Sequence, residues 1–322
     1  MRTRNNMKRG LLTVSIIAMC LSSGSALATE AERAVMAKAE IPTLENRVVT
    51  SPPAAMKLDP FYQKYADAGG IPIISSKNVP DTGLIVARDI VLYMLSERPD
   101  IRDQLIRNGA RIGIMAIDET TTDIPEQSDW KKPAIDDPRL SKCDVRDYAK
   151  GIGLQSDRDY WAKRARGMGG TYTTGAAENI MGVPGTRYYG ENILIHEFSH
   201  SIFEAIRTAD PALAARVETA YAHSKEKRLW QGAYMANTLD EYWAEGTQFW
   251  FNSNKAYITD TLTVLNAEDF KAHDPEFYAI LSEVYRCDHH IPADAYYMHP
   301  ARMNTAHIHL DVTGKARDDC FS

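Results

Sequence analysis

The residues best suited to chemistry in this sequence are His196-Glu197-Phe198-Ser199-His200, which form an H-E-x-x-H motif. On a helix, side chains four residues apart lie on one face with Cβ atoms about 5–6 Å apart, so two imidazoles can bind one Zn²⁺ ion. Glu197 is rotated by about 100° from His196 around such a helix, so its carboxylate reaches a water on the ion rather than the ion itself. The motif therefore predicts a zinc site with a glutamate base.

The segment around the motif must be helical to position these side chains. Apolar residues precede the motif at 193–195 and follow it at Ile202, and they recur at helical spacing. Ile195, Phe198 and Ile202 then form a face that can be buried, while the histidines face the ion. We expect this active-site helix near residues 191–206.

A catalytic zinc ion needs a third protein ligand and one open position. A third histidine six residues after the motif is absent from the sequence, so a carboxylate from a later helix is expected. Residues 239–252 are predicted to form that helix, on which Glu241 and Glu245 share one face. Thr238 and Glu241 also match a capping box, which gives Glu241 a structural alternative. Glu245 is an alternative ligand or an acceptor for a histidine N–H, so spacing alone leaves the third ligand open.

Together, HEFSH and the later Glu241-Tyr242-Trp243-Ala244-Glu245 resemble the gluzincin metallopeptidases of the anthrax lethal factor type. That family has a HEFGH-like zinc helix and a later E-aromatic-aromatic-A-E helix, and the resemblance covers residues 192–245. It implies an α+β, zincin-like fold with one Zn²⁺ per chain, bound by His196, His200 and Glu241. It also implies that Tyr234, seven residues before Glu241, assists catalysis. Ser199 stands where the family has glycine.

This resemblance implies an enzyme that cleaves peptide bonds in a peptide or protein substrate. Zinc lowers the pKa of a bound water to about 7, Glu197 takes its proton as general base, and Tyr234 helps zinc hold the oxyanion. Two alternatives stay open: a zinc amidase acting on a non-peptide or cell-wall amide, and a non-catalytic, zinc-containing binding protein. Glu197 counts against the last, because a structural site needs no base and is usually closed by four protein ligands.

The N-terminus has the pattern of a secretory signal peptide. Basic residues precede a short apolar run at 11–20, and Ala26-Leu27-Ala28 supplies small residues for cleavage. We therefore predict a signal peptide at residues 1–28 and a secreted or periplasmic mature protein. Acylation at Cys20 is the weaker alternative, because the bulky Met19 fits poorly before a lipidated cysteine.

The rest of the chain divides into an N-terminal arm or linker at residues 29–55 and a catalytic domain at 56–322. Strands are predicted at 71–74 and 111–118, and between them we expect a helix with Asp81 as its N-cap. Residues after about 189 have helical periodicity. The predicted fold thus has a mixed strand and helix N-terminal part and a mainly helical C-terminal part.

Composition excludes several classes of protein. The 322 residues are 44% hydrophobic and 25% charged, as in ordinary globular chains, and the formal charge of −6 without basic runs argues against nucleic acid as a partner. Beyond the signal peptide no apolar run is long enough to span a membrane, so no membrane span is predicted. Cys143, Cys287 and Cys320 are expected to be structural, with their pairing open, and the oligomeric state is open as well.

Overall fold

The computed structural model describes residues 48–285 and 287–310. The predicted signal peptide, most of the predicted arm, Cys20 and Cys320 lie outside these residues. Within them the fold is mixed α/β, with a small sheet and many helices.

One four-stranded sheet, in the order β1-β2-β3-β4, lies in the N-terminal part of the described chain. β1 runs antiparallel to β2, whereas β2, β3 and β4 are mutually parallel neighbours. The two inner strands are almost wholly buried, as expected for parallel strands covered on both faces. A two-stranded antiparallel pair, β5 and β6, follows much later. The six strands are β1 (Lys64–Ala68), β2 (Ile71–Ser75), β3 (Arg111–Met115), β4 (Tyr172–Ala176), β5 (Tyr257–Ile258) and β6 (Thr263–Val264).

The helices lie between β2 and β3, between β3 and β4, and throughout the C-terminal part. In chain order they are α1 (Asp81–Met94), α2 (Pro99–Arg107), α3 (Lys142–Asp147), α4 (Asp157–Arg164), α5 (Ala177–Ile180), α6 (Ile193–Ala209), α7 (Pro211–Glu226), α8 (Leu239–Trp250), α9 (Ala267–His273) and α10 (Pro275–Leu281). Short 3₁₀ turns at Ala54–Met56, Thr121–Asp123, Pro125–Gln127, Tyr148–Lys150, Ile152–Leu154, Tyr234–Ala236 and Pro300–Met303 complete the described chain.

Helices α6 and α8 pack directly against each other and bring the two halves of the site together. The rings of Phe203 on α6 and Trp243 on α8 stack with centroids 5.0 Å apart and an interplanar angle of 12°. The Trp243 indole N–H also donates to the Ser199 carbonyl at 2.9 Å. Burial of such large aromatic side chains contributes several kcal/mol, about 1.5–3 kcal/mol for each. The relative position of α6 and α8 is therefore held by core packing.

Two local expectations differ from the structure. The N-cap of α1 is Pro80 rather than Asp81, because proline in an extended conformation (φ −58°, ψ 140°) precedes the helix and puts Asp81 in its first turn. There the Asp81 carboxylate pairs with Lys64 at 2.7 Å. The predicted strand at 111–118 ends at Met115, and every residue from Ile112 to Met115 is buried, so both faces of this inner strand are covered.

Cys143 and Cys287 are both disulfide-bonded. Among the described residues, no helix combines the length and the apolar character needed to cross a membrane.

Candidate metal centre

Helix α6, which carries the H-E-x-x-H motif, begins at a firmly held N-terminus. The Asn192 side-chain oxygen accepts from the backbone N–H groups of Leu194 and Ile195 at 3.1 and 3.3 Å. The Asn179 side-chain oxygen accepts from the Ile193 N–H at 2.9 Å. Three N–H groups that lack partners within the helix are thus satisfied by side chains, which fixes where the helix begins.

The two motif histidines lie side by side, as residues four apart on a helix must. Their Nε2 atoms are 3.3 Å apart, and their ring centroids are separated by 4.9 Å. His196 is buried and His200 is partly buried. Both imidazoles therefore present the same ring nitrogen to one point.

Glu241, near the start of α8, brings its carboxylate to that point. Its Oε2 atom lies 3.0 Å from Nε2 of His196 and 3.8 Å from Nε2 of His200. The predicted capping box forms in one direction, since the Thr238 hydroxyl accepts from the Glu241 N–H at 3.1 Å. The carboxylate itself is directed to the imidazoles, so the cap and the contact with the histidines occur in the same residue.

The distances among these three atoms fit a zinc ion. Zn–ligand bonds of about 2.0–2.1 Å at tetrahedral angles place ligand atoms about 3.3 Å apart, and the three observed separations are 3.0, 3.3 and 3.8 Å. Within the described chain, the buried Oε2 of Glu241 has no hydrogen-bond donor of acceptable geometry, although Nε2 of His196 is close. A cation between the three atoms satisfies this oxygen.

Glu197 also lies near the two histidines. One ligand atom each from His196, Glu197 and His200 lie within 4.8 Å of one another, so these three side chains form a group that could hold a metal ion. The Glu241 oxygen is close as well, 3.0 and 3.8 Å from the two Nε2 atoms. Two glycines let the preceding segment approach this side of α6. A Cβ at Gly167 would lie 2.9 Å from Cγ of Glu197, and one at Gly169 would lie 2.7 Å from Cδ2 of His200. The glycine-rich segment before β4 thus packs against Glu197 and His200.

Glu245 and Gln248 follow Glu241 on the same face of α8. The Glu245 carboxylate lies 3.5 Å from Nδ1 of His196 and accepts from the Asn254 amide at 2.7 Å. Gln248 has its side-chain oxygen closer, 2.9 Å from the same Nδ1. Sequence reasoning gave Gln248 no role, although its position seven residues after Glu241 puts it on the ligand face of the helix.

Tyr234 also lies near the imidazoles, in the 3₁₀ turn before α8. Its side chain is 50% exposed, and its ring centroid is 6.5 Å from that of His196. The phenol interacts with the Glu241 carboxylate and the Arg164 guanidinium. Burial, followed by the negative charge of Glu241, raises the pKa of Tyr234 to about 12, so the phenol keeps its proton at neutral pH.

The acidic side chains make this point of the structure attractive to a cation. Burial raises the pKa of Glu197 and of Glu245 to about 7. Burial alone would lower the pKa of His196, but contact with Glu241 and the charges of the other two carboxylates raise it to about 10. Burial and the charge on His196 lower the pKa of His200 to about 4. A divalent ion beside these carboxyl groups would favour their ionised forms and so lower the pKa of Glu197 and of Glu245.

The site forms part of the lining of a cleft with a volume of about 700 Å³. One wall comes from the chain between β3 and β4, where Tyr160, Trp161 and Arg164 line the cleft. The other wall includes Tyr234 and the segment around Tyr257. A cleft of this size has room for several residues of an extended peptide.

Comparisons with known proteins add little to this geometry. No family model and no curated protein matches the sequence. A solved structure described as the Pro-Pro endopeptidase PPEP-2 from Paenibacillus alvei aligns with 62% of this chain and 91% of its own, at 17% identity and a TM-score of 0.36. At that TM-score, the likeness supports no conclusion about activity.

Replacing Glu241 and Glu245 by alanine, one at a time, tests which of the two carboxylates is the third zinc ligand. We expect Glu241→Ala to weaken zinc binding by more than about 100-fold. Substitution of a residue that only hydrogen-bonds to a metal ligand already lowers metal affinity about 10–100-fold, and loss of a ligand itself should lower it further. Glu245→Ala should keep most of its zinc. Metal content of the purified variants and titration of the metal-free proteins with zinc measure this. The reverse ranking would assign the ligand to Glu245.

Proposed function

We propose that this protein is an exported, zinc-dependent metallopeptidase. The observation that carries the proposal is the convergence of His196, His200 and Glu241 on one point, with Glu197 beside it and a cleft in front of it. Three protein ligands and an accessible fourth position are typical of catalytic rather than structural zinc sites. This supports an enzyme over a binding protein with a structural ion.

Glu197 and Tyr234 have different roles in the proposed hydrolysis. A bound zinc ion would supply Lewis-acid chemistry, which acidifies water and polarises a carbonyl. Glu197 takes the proton of the attacking water and passes it to the leaving amine, a role that suits a carboxylate close to the two histidines. Tyr234 donates its phenolic hydrogen to the developing oxyanion, since it enters the cleft protonated.

A peptide is the substrate class that the cleft favours. Residues 165–168 line it, and they run beside edge strand β4, with Met168 paired to Thr174. Extended backbone next to a cleft can pair with an extended peptide through main-chain hydrogen bonds. A small-molecule amide has no extended main chain that could pair with residues 165–168.

Export is supported by two separate features. The first residues carry the signal-peptide pattern, and Cys143 and Cys287 are disulfide-bonded. Disulfide bonds persist in oxidising compartments such as the periplasm or the extracellular space.

The role of Glu197 can be tested without disturbing the ligands. We expect Glu197→Gln to keep zinc but to lose activity by about 10²–10⁴-fold, because the amide cannot accept the proton. Digestion of a peptide library, with metal analysis in parallel, measures both. Glu204→Gln, an exposed carboxylate on the same helix, is the matched control and should behave as wild type. Full activity in Glu197→Gln would remove the hydrolase assignment.

The role of Tyr234 predicts a different pattern. Tyr234→Phe should bind zinc normally and reduce kcat by about 10²–10³-fold with little change in KM, because an oxyanion donor acts in the transition state. Tyr188→Phe is the control, since its hydroxyl also lies by the cleft but donates to the Arg164 carbonyl at 3.1 Å. Equal rates for Tyr234→Phe and wild type would exclude the phenol from catalysis.

A further inference from the structure

We propose that Gln248 is the positioning residue that fixes which ring nitrogen of His196 faces the metal. The inference rests on the proposed function in one respect, namely that a metal ion occupies the point where His196, His200 and Glu241 converge. It concerns α8, at a position for which neither the motif nor the family resemblance assigns a role.

The orientation of the Gln248 amide is set by a backbone carbonyl. Gln248 is fully buried, and its Nε2 donates to the carbonyl oxygen of Asn192 at 2.9 Å. Because a carbonyl can only accept, the amide nitrogen must face Asn192, and the amide oxygen must face the other way. That oxygen lies 2.9 Å from Nδ1 of His196.

The amide oxygen in turn sets the tautomer of His196. An amide oxygen has no hydrogen to give, so Nδ1 must carry the proton in this hydrogen bond. When the ring carries a single proton, as a metal-bound imidazole does, Nε2 is then the nitrogen with the lone pair, and Nε2 is the atom close to Nε2 of His200 and Oε2 of Glu241. Gln248 therefore determines which nitrogen of His196 can bind a metal ion.

The carbonyl at the start of this chain of contacts is itself held in place. Asn192 is the N-cap of α6, and its side-chain amide donates to Asp294 at 2.8 Å. Its backbone N–H donates to the Ser253 carbonyl at 3.1 Å. The Gln248 amide thus bonds to Asn192, which is held by several hydrogen bonds of its own. Through its other end, the amide connects the start of α6 to His196.

Glu245 is the rival for this role, and the distances favour Gln248. The Glu245 carboxylate is 3.5 Å from Nδ1 of His196, which is longer than ordinary N–H···O hydrogen bonds of about 2.7–3.2 Å. Its other oxygen is engaged by the Asn254 amide at 2.7 Å. Glu245 contributes negative charge near the ring, whereas Gln248 contributes the hydrogen-bond acceptor.

Zinc titration of metal-free variants separates the two residues. We expect Gln248→Met, which keeps the side-chain length but removes the amide, to weaken zinc binding about 10–100-fold. Gln248→Glu should keep more of the affinity than Gln248→Met, because a carboxylate oxygen at this position can still accept from Nδ1 of His196 although the bond to Asn192 is lost. Glu245→Gln should weaken zinc binding less than Gln248→Met, because it removes a nearby charge but leaves the hydrogen bond to Nδ1 of His196 in place. An equal or larger loss in Glu245→Gln, or an unchanged affinity in Gln248→Met, would overturn the proposal.

Nitrogen-15 NMR of the wild-type histidines gives a test that needs no variant to fold. We expect a proton on Nδ1 of His196, protected from exchange, in the zinc-loaded protein and in the metal-free protein at a pH high enough to leave the ring with a single proton. A ring without a proton on Nδ1 would overturn the proposal. Failure of the wild-type protein to bind zinc would count against the proposed function, while the metal-free spectrum would still report on Gln248.

Discussion

The arrangement depends on the packing of α6 against α8. The H-E-x-x-H motif on one helix brings two imidazoles together, and the carboxylate closest to their Nε2 atoms comes from the other helix. Stacking of Phe203 on Trp243 and the hydrogen bond from Trp243 to the Ser199 carbonyl hold the helices at the separation that puts Glu241 3.0 Å from His196. Carboxyl groups buried beside the imidazoles cost free energy, which the apolar contacts between the two helices must offset.

Local patterns in the sequence were sufficient for much of this site. Helical spacing predicts that His196 and His200 share a face, and their Nε2 atoms are 3.3 Å apart. The later helix was expected near residues 239–252 and is observed at Leu239–Trp250. These features depend on residues within a few positions of each other, where the period of the helix decides the outcome. The strand at 71–74 was found for the same reason, as β2.

Other parts depend on contacts between distant segments, which spacing does not reveal. Glu241 matched a capping box and a ligand equally well, and only the packing of α8 on α6 directs its carboxylate to the imidazoles. Gln248 takes its orientation from Asn192, and the glycines at 167 and 169 matter because α6 lies against them. Strands β5 and β6 have two residues each, too short for an alternating pattern to appear.

The central claim is that one divalent ion is bound by these three side chains. A crystal structure of the zinc-loaded protein, with anomalous scattering recorded on both sides of the zinc absorption edge, tests it most directly. The account predicts one peak about 2.0–2.1 Å from Nε2 of His196, from Nε2 of His200 and from the Glu241 carboxylate. A peak bound by Glu245 in place of Glu241, or no peak near the two histidines, would contradict it.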